Sequence, residues 1–189
     1  MKPTTTSGFI AVGMENPALT VEDFEQVVEQ YRNRVLRFVF ASVRDMDLAE
    51  TLTQDCFWNA FRNRGRFRGD CSVHTWLMRI AVNLVRDHTR NRRFQFWRKA
   101  PQVRSDEIRD WPDRSISPEK KAAVNEQVQA VWDATKTLSE RQRTVFLLRF
   151  VEDLDIPEIA QSTGLTENAV HVHLFRAVRS IRKRMGKSK

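Results

Sequence analysis

Residues Leu154–Ala177 read LDIPEIAQSTGLTENAVHVHLFRA, and this stretch decides the fold. Asp155 precedes Glu158 at the spacing where an N-cap side chain and the third helical residue satisfy each other's backbone amides. Pro157 falls in the first turn, where the amides have no intrahelical partner to lose. The pattern predicts a short helix that turns Ile156, Ile159 and Ala160 inward and ends at Thr163-Gly164. Gly164 suits the left-handed backbone that turns a chain out of a helix. Thr166 then caps a longer helix with the apolar stripe Val170, Leu174, Ala177, Val178, Ile181 and Met185. Small Ala160 lets the two helices approach, and Val170 locks the second one with its opposite face free. That is a helix-turn-helix, whose second helix can enter a major groove. A plain helical hairpin shares the skeleton, but Arg176, Arg179, Arg182, Lys183, Arg184, Lys187 and Lys189, with no acid among them, favour the DNA-binding form.

Upstream, Ser139 and Gln142 form another capping box ahead of Val145, Phe146, Leu148 and Phe150. Val124, Val128, Val131, Trp132 and Thr135 lie on one face of a preceding helix. A different helical domain precedes these. Its first helix is capped by Thr20, with Leu19 and Phe24 as a hydrophobic staple, and its stripe is Phe24, Val27, Val28, Tyr31, Val35, Phe38 and Val39. A second carries Ala49, Leu52, Cys56, Phe57, Ala60 and Phe61, which makes Cys56 a buried small apolar side chain. Gly65 and Gly69 break the pattern. A third, from about Ser72, buries Trp76, Leu77, Ile80, Ala81 and Leu84 and runs into Arg90, Arg92 and Arg93.

The 189 residues hold only six glycines and six prolines, too few for a turn-rich β fold. The expected class is therefore all-α: two small helical domains joined by an irregular linker. The expected divisions are a mobile tail over 1–18, a first domain over 19–94, a linker over 95–120 and a second domain over 121–189. Two cysteines make no disulfide framework, no apolar run approaches the roughly 18 residues of a membrane span, and the N-terminus lacks a signal peptide's apolar core. The chain is expected to be cytoplasmic.

Net charge is +8, and it is unevenly placed. From Glu15 to Ala60 the acids Glu15, Glu22, Asp23, Glu25, Glu29, Asp45, Asp47, Glu50 and Asp55 outnumber Arg32, Arg34, Arg37 and Arg44. From Phe61 to Arg104 only Asp70 and Asp87 oppose a long series of arginines. One basic segment per domain points to a polyanion held at two places.

With both domains in view, the chain resembles an extracytoplasmic-function sigma factor, a sigma subunit of bacterial RNA polymerase. The resemblance rests on AETLTQDCFWNAF (Ala49–Phe61), on FRGDCSVHTWLMRIAVNLVRDHTRNRR (Phe67–Arg93), on LSERQRTVFLLRF (Leu138–Phe150) and on the helix-turn-helix. It implies that the helix bearing Glu50, Thr51, Gln54 and Asp55 docks on the clamp of the polymerase's largest subunit, and that the second domain meets the flap region. It implies that Phe67, Arg68, Gly69, Asp70 and Cys71 surround a base flipped from the minus-ten element, with Arg79, Asn83, Arg86 and Arg90 along the separated strand. A splayed base needs stacking and edge hydrogen bonds, and a single strand needs a cationic track. The minus-thirty-five element would be read by Asn168, His171, Val172, His173, Phe175, Arg176 and Arg179. The linker resembles the family's segment that threads toward the polymerase cleft.

Two departures stand out. The family often has Lys or Arg, Ser and Arg where this chain has His171-Val172-His173, so the preferred promoter does not transfer. The family's acidic run at the start of the docking helix is thinned here to Leu48-Ala49-Glu50-Thr51-Leu52-Thr53-Gln54-Asp55, with Leu48 and Thr51 in place of two acids. Asp45, Asp47, Glu50 and Asp55 offer enough charge for the contact; alternatively a Ser/Thr kinase phosphorylates Thr51, or Thr53, and restores the missing anion. An anti-sigma factor is a further implied partner.

Other classes fit less well. A DNA-binding regulator with a similar helix-turn-helix leaves the Thr75-Trp76-Leu77 run and the Gln54-Asp55 helix unexplained. For an enzyme there is no nucleophile motif, P-loop or carboxylate cluster, and the histidines are His74, His88, His171 and His173. His171 and His173, two apart on a helix, diverge too far to share a metal. No catalytic residue, cofactor or metal is expected.

Overall fold

The computed structural model describes residues 20–96 and 131–186. Helix α1 spans Val21–Val43, α2 Met46–Asn63 and α3 Val73–Phe96, with a 3-10 turn over Arg64–Arg66 between the last two. After a helical segment over 131–135 come α4 (Glu140–Phe150), α5 (Ile156–Thr163) and α6 (Glu167–Met185). The described residues contain no strand.

Caps set these boundaries. Thr20 and Asp23 form a capping box that starts α1, and Asp45 accepts from the Leu48 amide at 3.0 Å to start α2. The boxes Ser139–Gln142 and Asp155–Glu158 start α4 and α5, as their spacing predicts. Gly164 ends α5 at φ 72°, its amide donating to the Ala160 carbonyl at 2.9 Å. The Thr166 hydroxyl accepts from Ala169 to open α6. The staple residue Leu19, the N-terminal tail and the linker from 97 onward, with Val124 and Val128, lie outside the described residues.

Helices α1, α2 and α3 pack on one another over Val35, Phe38, Val39, Ala49, Cys56, Ala60, Leu77 and Ala81. Phe24 closes one end edge-on against Phe57 and Phe61, with centroids 6.5 and 5.3 Å apart. Helices α4, α5 and α6 enclose Val145, Leu147, Leu148, Ile159, Val170 and Ala177. Each set buries its own stripe, which is what makes two helical domains.

Helix α3 departs from its expected stripe. Leu77 and Ala81 are buried, but Trp76, Ile80 and Leu84 are only half-buried, while Met78, Val82 and Val85 are covered. The cause is a second packing partner. Helix α3 lies against α5 of the other domain as well as against α1 and α2, so a wider band is withdrawn from water. It also continues to Phe96, two residues beyond the expected domain edge. Ile156 and Ala160 are half-buried, and Met185 at the end of α6 is largely exposed.

Candidate nucleic-acid interface

On α6, the buried residues Val170, Ala177 and Ile181 anchor one side and present the other to solvent. Asn168, His171, Val172, Phe175, Arg176 and Arg179 are all exposed on it, Phe175 by 67%. A phenylalanine left so bare on a protein's own surface is unusual beside a row of cations. His173 differs: it is half-buried, turned toward the body of the domain, and its Nδ1 is buried without a hydrogen-bond partner among the described residues. Burial, then the charges of Arg141 and Arg176, lower its pKa below that of an ordinary histidine. The ring thus sits off the exposed face, where its neighbours disfavour the charged form.

In the first domain, the loop from Phe67 to Cys71 leads into α3. Arg68, Gly69 and Asp70 are exposed at its tip, with Gly69 at φ 71°. Phe67 leans on Trp76, and the Ser72 hydroxyl accepts from the Thr75 amide at 3.0 Å, so the loop is tied down at both ends. Cys71 is half-buried; burial raises its pKa, the nearby Arg79 lowers it, and Asp70 and Glu158 raise it, the net direction being upward. It is a poor nucleophile there. Along α3, Arg79, Arg86 and Arg90 are exposed and Asn83 is half-buried, at helical spacing on one side. Arg86 Nη2 donates to Asn83 Oδ1 at 2.8 Å. Loop and helix therefore form one continuous strip of exposed backbone and cations.

On α2, Glu50, Thr51, Gln54 and Asp55 share an exposed face, opposite the buried Ala49, Leu52, Cys56 and Ala60. Thr51 donates its hydroxyl to the Asp47 carbonyl at 2.9 Å and remains accessible, whereas Thr53 is buried and bonded to the Ala49 carbonyl at 2.7 Å. Beside Gln54 runs a largely apolar groove of about 500 Å³ lined by Phe24, Val28, Arg32, Phe57, Trp58 and Phe61. Cys56 lies within the core, where burial pushes its thiol up to about 12.

Among the described residues no three His, Cys, Asp or Glu side chains gather as metal ligands, and no helix is long and apolar enough to cross a membrane.

Both halves match known families. Residues 27–95 match the family model of sigma-70 region 2, and residues 129–181 that of sigma-70 region 4. The chain is 31% identical over 159 residues to the ECF RNA polymerase sigma factor BldN of Streptomyces coelicolor, an alignment covering 84% of this chain and 58% of BldN. The chain belongs to the extracytoplasmic-function sigma factors. It is also 29% identical to the RNA polymerase sigma-H factor of Pseudomonas aeruginosa, over 85% of this chain and 84% of that one. With the sigma factor SigX of Bacillus subtilis the identity is 26%, over 87% of this chain and 84% of that one. Among solved structures, the fold is similar to the sigma factor RpoE in complex with the anti-sigma factor NepR from Bartonella quintana (TM-score 0.73, 19% identity, 89% of this chain and 100% of that one). CnrH, solved in complex with the cytosolic domain of CnrY, gives 0.65 at 19% identity, over 90% and 92% of the two chains. As a sigma factor, the protein serves promoter-specific initiation of transcription.

Two residues of this sigma factor escape the sequence pattern. Trp58 is 60% exposed beside Gln54; a tryptophan one turn on from the exposed Gln54, and off the apolar stripe, is the signal that finds it. Glu152 is buried although it sits in a polar turn, and nothing local in the sequence announces that.

Proposed function

We propose that the chain binds core RNA polymerase in the cytoplasm and confers promoter choice by reading two DNA elements with two domains, over 19–94 and 121–189. The loop Phe67–Cys71 receives a flipped minus-ten base, and Arg79, Asn83, Arg86 and Arg90 follow the separated strand. Asn168, His171, Val172, Phe175, Arg176 and Arg179 read the minus-thirty-five element in the major groove; His173 instead supports the helix. The residues over 95–120 link the domains. Catalysis stays with the polymerase, so the chain supplies recognition and strand opening, not chemistry.

The observation that supports this most is the pairing of two cationic faces on separate domains with an acidic, groove-edged face on α2. Glu50, Thr51, Gln54 and Asp55 provide charge and hydrogen bonding there, and the groove beside Trp58 offers an aromatic anchor of the kind that dominates interfaces. The complexes of its structural neighbours make an anti-sigma factor a reasonable regulator, and the exposed Thr51 hydroxyl is the candidate site for a Ser/Thr kinase. Thr53, whose hydroxyl is buried against the Ala49 carbonyl, suits that role less well.

The test is affinity for purified core polymerase. Wild type should bind, and Gln54→Ala or Trp58→Ala should weaken binding by roughly ten- to thirtyfold, the cost of an interface anchor. Wild type that binds specific DNA yet shows no affinity for core would make the protein a free-standing regulator instead.

A further inference from the structure

The two domains meet through a polar seam as well as through the covered side of α3. Glu152, in the turn after α4, has a fully buried carboxylate, and among the described residues the side chains that pair with it, two arginines and a histidine, come from the other domain. Arg37 Nε donates to Oε1 at 3.4 Å, Arg34 Nε lies 3.6 Å from Oε2, and His74 Nε2 lies 3.2 Å from Oε2. The His74 ring is itself held by stacking on Tyr31, centroids 5.7 Å apart. Nearby, Thr75 donates its hydroxyl to Glu158 Oε1 at 2.8 Å, Ser162 donates to the Thr75 carbonyl at 3.3 Å, and Arg143 donates to the Ser42 carbonyl at 3.4 Å. Arg44 Nη2 bonds the Trp132 carbonyl and the Thr135 hydroxyl at 3.1 and 2.7 Å. A carboxylate withdrawn from water is tolerable only while its cations stay in place, so Glu152 commits the domains to this arrangement.

That arrangement conflicts with reading two promoter elements at once. By their names the elements are centred about 25 base pairs apart, which at 10–10.5 base pairs per ~34–36 Å turn is roughly 85 Å. A closed body of this chain length has a radius of gyration near ~16 Å. Packed together, the faces of α3 and α6 cannot span the distance. Arg86 moreover lines the cleft between the domains opposite Arg141 and Gly164, so the cationic side of α3 borders the seam.

We propose that the free chain rests in this closed form with Glu152 as its latch, and that reaching both elements requires the carboxylate to leave Arg34, Arg37 and His74. The device needs no second protein: one domain masks the other. Its consequence for transcription rests on the two-element function proposed above, whereas closure itself does not.

Small-angle scattering of the full chain without polymerase separates the two. Wild type should scatter as one compact particle. Glu152→Gln should enlarge the radius of gyration by several ångströms, and so should Arg34→Ala with Arg37→Ala. Those arginines are partly exposed on α1, so removing them leaves each domain's core intact and decides the matter if Glu152→Gln fails to fold. The opened variants should also bind core polymerase roughly tenfold more tightly, because the binding-competent fraction rises. Wild type that already scatters as two separate bodies, or arginine variants as compact as wild type, would overturn the latch even if the protein directs transcription.

Discussion

The ring of Phe67 lies against the indole of Trp76, centroids 4.9 Å apart and planes tilted by 41°. One residue enters the loop Phe67–Cys71 and the other sits in the first turn of α3, so loop and helix are held as a unit. Phe67→Ala should cost about 1 kcal/mol, because the ring is only half-buried, and lower the melting temperature by about 2–4 °C. Binding of a single-stranded minus-ten oligonucleotide by the polymerase complex should fall by about tenfold. Unchanged oligonucleotide binding would detach this loop from base capture.

The exposed face of α6 makes a different prediction. Arg176→Ala should cost about 1–3 kcal/mol in minus-thirty-five binding and relax preference at one base position. Arg182→Ala, in the last turn, should weaken all sequences alike and reduce the salt slope by about one ion. Competition binding at several salt concentrations distinguishes them; identical, sequence-blind losses would mean that a different face enters the groove.

His173 gives the stability a pH dependence. Its folded pKa lies below the ordinary 6.5, so as pH falls through that value the unfolded chain takes up a proton before the folded chain does. Stability from this group is therefore complete above about pH 7, declines as pH drops below 6.5, and stops declining once the folded ring is protonated too. Denaturant titrations at pH 7.5 and 5.5 should show a smaller loss for His173→Gln than for wild type. An equal loss in both would place the cause elsewhere.

Thr51 supplies the regulatory prediction. A phosphate there adds about −2 charge to the exposed acidic face of α2, in its second turn beside Glu50 and Asp55. Unmodified wild type and Thr51→Ala should bind core alike, and Thr51→Glu severalfold more tightly. Equal binding by all three proteins would show that Asp45, Asp47, Glu50 and Asp55 suffice.

What the sequence reveals here is local, and what it conceals is not. Capping boxes, the left-handed Gly164 and the burial of Cys56 follow from residues a turn apart, because each is settled by its own helix. The exposed faces of α2, α3 and α6 follow likewise, as the complements of apolar stripes. Met78, Val82 and Val85 read as one helix flank too many until α5 covers them. Glu152 reads as a solvated turn residue because Arg34, Arg37 and His74 are far away in the chain. His173 looks like its neighbours on α6 until Arg141, from another helix, is placed beside it. Packing between helices, unlike winding within them, depends on partners that periodicity does not name.

The most direct measurement is run-off transcription with purified core polymerase and this protein on a library of promoter fragments. Transcripts should start on a defined subset that core alone ignores, share two sequence elements with a fixed spacing, and disappear with Arg86→Ala or Arg176→Ala according to the element each residue faces. Absence of any protein-dependent transcript, with core active alongside another sigma factor in the same assay, would contradict the account.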